Sequence, residues 1–127
     1  MATFIFLAMI FLHIFDDFFL QSAFLANGKQ KGWWKKNAPE PQYKYDYVPC
    51  LLTHAFSWTF MMMLPLAWWF EFMLPTEFLV AFIINFFVHA FIDHCKANKR
   101  WINLIFDQSV HIIQIIITFT ILMEVIG

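Results

Sequence analysis

Four long apolar stretches, divided by three polar ones, organise this chain. They cover about residues 3–25, 48–70, 78–95 and 101–125. Each holds roughly 18–25 residues, enough for a helix rising about 1.5 Å per residue to cross a hydrocarbon layer about 30 Å thick. Helices satisfy their own backbone groups, so the pattern predicts a single all-α domain over residues 1–127, a four-helix transmembrane bundle. Pro65, inside the second stretch, is compatible with a membrane helix. The link at 27–46 reads as irregular chain because of Gly28, Gly32, Pro39 and Pro41. Trp33, Trp34, Tyr43, Tyr45 and Tyr47 beside it fit an interfacial aromatic belt.

Composition agrees with lipid as the solvent. Hydrophobic residues make up 61% of the chain and charged residues only 13%, against about 25% charged in soluble domains. The net charge of -1 gives no basis for a nucleic-acid partner. Cys50 and Cys95 lack metal-type spacing and are not expected to pair. No basic n-region precedes the first apolar run, so that run is expected to stay in the mature protein. All eight Lys and Arg residues sit in the first and third links. The positive-inside rule puts those links in the cytoplasm and both termini on the outer side.

The polar residues inside the apolar spans carry the chemistry. Span one holds His13, Asp17 and Gln21 at four-residue spacing; span two holds His54. Span three holds Asn85, His89 and Asp93, and span four holds Asp107, His111 and nearby Gln114. Residues four apart share a helix face. Each stripe must point at the others, because lipid cannot satisfy it. Asp17, His54, His89 and Asp107 also share a level, roughly 9–12 Å below the basic surface at helical rise, with His13 and His111 a turn deeper and Asp93 a turn shallower. A lone membrane His or Asp is ordinarily an interhelical hydrogen bond, but three His/Asp pairs at i,i+4 argue for an intramembrane His/Asp cluster with a common task. Carboxylates packed alone repel one another; a divalent cation reverses that.

Imidazole with carboxylate suits zinc first, with manganese or iron as alternatives. The expected ligands are His13, Asp17, His54, His89, Asp93, Asp107 and His111, with Asp17 and Asp107 also taken as catalytic carboxylates. Seven ligands suit two ions about 3.5–4 Å apart. Gln21, Asn85, Gln108 and Gln114 are expected to flank and orient them. Lys96 joins that flanking group, although an interfacial lysine is its simpler reading. Asp16 lies about 100° round the helix from Asp17 and is read as facing water or a lysine. The lysines of the first link read as topology signals and anionic-lipid contacts.

The set His13-x3-Asp17-Phe18-x-Leu20-Gln21, His54, His89-x3-Asp93-x2-Lys96 and Asp107-Gln108-x2-His111 resembles the small bacterial and phage membrane proteins grouped as domain of unknown function 3307. The resemblance spans nearly the whole chain and keeps the order of the four blocks. It implies the four-helix fold and the site; with the charge pattern, the expected location is a bacterial inner (cytoplasmic) membrane, crossed several times, with periplasmic termini. More distantly, the chain is similar to families described as membrane-bound metal-dependent hydrolases. The first link here is longer and richer in lysine than the family pattern.

The expected function is a membrane-embedded metal-dependent hydrolase. It would use activated water on a phosphoester or acyl bond of a lipid or lipid-linked substrate, entering from the cytoplasmic leaflet. Ser57 and Cys50 have no paired base in the sequence pattern, so no covalent route is expected. The alternative is a non-enzymatic metal-binding membrane protein: a carrier, a sensor or a regulator of a host membrane protein. The apolar far halves of the spans argue against a through-channel. A di-iron oxidoreductase ranks lower, because its usual ligands favour Glu. A homodimer is a further expectation.

Overall fold

A computed structural model describes residues 1–126. The chain forms helices α1 (Ala2–Phe15), α2 (Ala23–Gly28), α3 (Lys31–Asn37), α4 (Tyr47–Trp69), α5 (Thr76–His94) and α6 (Leu104–Val125). No strand occurs among the described residues. Wider π-helical turns prolong α1 over Asp16–Leu20 and α5 over Cys95–Lys99. Four segments are long and apolar enough to cross a membrane: Ala2–Leu20, Pro41–Trp69, Thr76–Lys99 and Leu104–Val125.

The first span is shorter than its apolar run. It stops at Leu20 because Gln21 and Ser22 turn extended, with ψ of 116° and 159°. Ser22 then caps a new helix, its Oγ accepting the Leu25 N–H at 3.1 Å. The first link is correspondingly more regular than its glycines and prolines predict. It holds α2, α3 and a 3₁₀ turn at Pro41–Tyr43. Gly28 is needed for close approach: a Cβ there would lie 2.6 Å from Cys50 Sγ. Asn98 then fastens the link to the end of α5. Its Nδ2 donates to the Lys29 carbonyl at 2.8 Å, and its Oδ1 accepts the Lys31 N–H at 2.6 Å.

Helix α4 is central, with eleven buried residues among its 23. It packs against α1 and α5, and α6 closes the bundle against both of those. Away from the basic links, Ile5, Met9, Met62, Leu66, Ile115 and Leu122 fill the interior. The outer surface is the reverse of a soluble protein's: Phe4, Leu7, Phe11, Ile83, Phe87 and Ile117 are all exposed. So continuous an apolar exterior is consistent with a membrane protein. Cys50 and Cys95 are both buried free thiols.

Candidate metal centre

Each of the four spanning helices turns its polar stripe to the same point. Asp17 of α1's terminal turn lies 3.0 Å from His54 Nε2 of α4. Within α5, His89 Nε2 is 3.5 Å from Asp93 Oδ2. On α6, His111 Nε2 is 3.3 Å from Asp107 Oδ1 and 3.8 Å from Asp93 Oδ1. The rings of His89 and His111 stack with centroids 4.1 Å apart. His13, His54, His89, Asp93, Asp107 and His111 are all 2% exposed or less. Two trios could hold a metal ion, with ligand atoms within 4.8 Å of one another: Asp17–His54–His89 and His89–Asp93–His111. His89 belongs to both. His13 stands at the edge, its Nδ1 3.7 Å from Asp17 Oδ2.

The neighbours hold these rings in particular orientations. Trp58 Nε1 donates to His13 Nδ1 at 2.7 Å, and the indole stacks on His89 at 4.4 Å. Gln114 Oε1 lies 2.9 Å from His111 Nδ1 and accepts its proton. Gln114 Nε2 donates to Asn85 Oδ1, and Asn85 Nδ2 donates to Thr118 Oγ1 at 2.8 Å. Gln108 Nε2 reaches both Asp17 and Asp107 at 3.1 Å. With His111 Nδ1 carrying the proton, the Nε2 of a neutral ring presents a lone pair to two carboxylates. Only a proton or a cation between them makes that approach attractive.

Several buried atoms make no hydrogen bond: both nitrogens of His89, His111 Nε2, Asp107 Oδ1 and Asp16 Oδ2. Such atoms are costly in an apolar interior unless something binds them. Two lysines enter the site as well. Lys29 Nζ is 2.9 Å from Asp93 Oδ2, and Lys96 Nζ is 3.1 Å from Asp107 Oδ2. Four carboxylates, those of Asp16, Asp17, Asp93 and Asp107, therefore face two ammonium groups. With neutral imidazoles, two negative charges remain uncompensated.

The structure changes several sequence readings. Asp16 does not face water: it is 1% exposed, takes a hydrogen bond from Ser57 Oγ and lies 3.7 Å from His54 Nδ1. Helix α1 sits in the angle between α4 and α6, so two adjacent residues both find the interior. Ser57, read from the sequence as having no paired base, donates its hydroxyl to that carboxylate. Lys29 is no surface charge: it is 6% exposed and inside the cluster. Gln21 leaves the stripe where the helix ends, and its Oε1 makes no hydrogen bond. Lys96 binds Asp107 instead of only lying at the interface. Trp58 is absent from the expected set, although its place four residues after His54 puts it on the same face. No helical spacing could have indicated Lys29, which arrives from a separate short segment.

Fold and site together define an all-helical protein with four potential membrane spans and a buried His/Asp cluster. The chain belongs to the DUF3307 family, described as proteins of unknown function, which matches residues 5–126. No curated protein and no solved structure matches it.

Proposed function

We propose that the cluster binds a divalent cation and that the protein is a membrane-embedded metal-dependent hydrolase working at the basic face of a bacterial inner membrane. The observation that carries the metal reading is the convergence of His89, His111 Nε2 and Asp107 Oδ1 without partners. The donor set of imidazole and carboxylate suits Zn, Mn or Fe. His89, Asp93, Asp107 and His111 would hold the ion, with Asp17, His54 and His13 on its open side. A neutral imidazole offers one lone pair, so His89 serves one ion at a time.

A bound cation there supplies Lewis acidity and eases deprotonation of a nearby water. The protein's own groups support that chemistry. Asp17 is the most open of the His/Asp ligands, with 9% of its side chain exposed. It is placed to accept a proton from water, while Gln108 holds its second oxygen. Lys96, 30% exposed at the side chain, offers an ammonium to an anionic substrate group. A lipid or lipid-linked phosphoester meets these requirements; an acyl ester does so less fully. All eight basic residues lie in the links at this end, which supports a cytoplasmic position for it and periplasmic termini.

A second reading, metal binding without catalysis, draws on the tight burial of the central ligands. Ion conduction is disfavoured by the apolar plug of Ile5, Met9, Leu66 and Leu122. Elemental analysis of protein purified in mild detergent separates these readings when paired with a lipid-phosphate hydrolysis assay. One equivalent of metal, lost in the His89→Ala/Asp107→Ala variant, together with phosphate release that Asp17→Asn abolishes, supports the hydrolase. Metal without hydrolysis leaves the binding protein. No metal in the parent overturns both.

A further inference from the structure

The first link forms a second site, separate from the His/Asp cluster. A cavity of about 540 Å³ lies between α3, the 3₁₀ turn and the start of α4. That volume falls within the range of small-molecule sites, about 300–1,000 Å³. Lys31, Lys35 and Lys44 line it, against one carboxylate, Glu40. Trp34 and Tyr43 form one wall as a near-parallel pair, with ring centroids 6.4 Å apart and planes 19° from parallel. Tyr47 forms another, with Lys31 Nζ 5.0 Å above its ring.

This cavity has a fixed frame. Trp34 Nε1 donates to the Gly28 carbonyl at 2.8 Å, and Asn98 holds the Lys31 backbone. Tyr47 also stacks on His94 of α5 with centroids 5.9 Å apart. The aromatic walls are therefore anchored to the ends of α2 and α5. Lys31 and Lys44 lie over the Tyr47 and Tyr45 rings, and among the described residues none of the three cavity lysines forms a salt bridge. Lys31, Lys35 and Lys44 are all exposed residues. Helix α4 begins at the rim with Tyr47, and its dipole adds positive potential there.

We propose that this cavity binds the phosphate headgroup of an anionic membrane lipid. Three ammonium groups opposed by one carboxylate call for an anionic ligand. The aromatic walls call for one with carbon surface beside its charge, such as the glycerol of a phosphatidylglycerol. The lipid source is argued from position, because the link caps the basic end of four membrane-length helices. The exposed ring of Phe24 packs edge-on against both Trp33 and Trp34 along the same edge. None of the cavity's residues belongs to the His/Asp cluster, so the site stands whether or not that cluster binds metal.

Native mass spectrometry of the detergent-purified full chain, titrated with phosphatidylglycerol or with phosphatidylcholine of the same acyl chains, tests this. Phosphatidylglycerol is expected to bind at least about tenfold more tightly than phosphatidylcholine. Lys31→Gln/Lys35→Gln/Lys44→Gln should abolish that preference, and the corresponding Lys→Arg triple should restore it. A control, Lys36→Gln/Lys99→Gln/Arg100→Gln, removes equal charge outside the cavity and should keep the preference. Equal loss in both glutamine triples would mean general charge attraction and overturn the site. Displacement of the lipid by free glycerol 1-phosphate at equal concentration would assign the cavity to a soluble phosphate and overturn the lipid.

Discussion

On the side away from the basic links, Ile5, Met9, Met62, Leu66, Ile115 and Leu122 close the space between helices, none more than 1% exposed. On the other side the same helices meet through His13, His54, His89, Asp93, Asp107 and His111, buried to a similar degree. Lipid tails are as apolar as Leu, so the first group gains only from shape and close packing. The second group carries polar atoms that need partners, because an unpaired polar atom there has no water to turn to. One half is thus held by fit and the other by pairing. The half held by pairing is the candidate site.

Substitutions can break this contrast. The largest effect is expected for Asp93→Ala, which strands the Lys29 ammonium and removes a donor from the shared trio. Loss of one partner of a buried ion pair costs about 3–5 kcal/mol. Unfolding in detergent should report that loss, and metal content should fall with it. Leu66→Ala should cost about 2–3 kcal/mol, the lower part of the range for core truncation, and leave bound metal unchanged. Metal loss in that variant would show that the two halves are not independent.

Lys29→Met probes the charge count directly. It removes an ammonium 2.9 Å from Asp93, so a divalent ion should bind at least about tenfold more tightly by titration calorimetry. Unchanged affinity would mean that the ion does not sense Asp93. The smallest effect is expected for Thr118→Val, which takes one hydrogen bond from Asn85. Interhelical bonds of this kind average about 0.6 kcal/mol in a membrane protein. A metal loss on this substitution would extend the centre further along α6 than its ligands reach.

The spans and most of the cluster were legible because helical periodicity is a local property. His13 with Asp17, His89 with Asp93, and Asp107 with His111 are each one turn apart, so any helix places each pair together. Asn85 and Gln114 are marked by the same spacing and do bond one another. What escaped is set by tertiary geometry. Asp16 turns inward because α1 touches two neighbours, which no single-helix projection contains. Lys29 reaches Asp93 only because Ser22 restarts a helix and Asn98 fastens the backbone of Lys29 and Lys31 at its far end. Gln21 falls at the same break, extended beyond the end of the helix, since an apolar run says little about where a helix stops.

The two π-helical turns, Asp16–Leu20 and Cys95–Lys99, lie at the same end of the bundle. A turn closed from i to i+5 holds one residue more than a turn closed from i to i+4. In the language of alignments, each is a single-residue insertion. A relative lacking the extra residue between Asp17 and Ser22 would deliver the first link rotated by about 100°. A lysine at the position of Lys29 would then point away from Asp93. Across relatives, the one-residue gap and the loss of that lysine should therefore be inherited together.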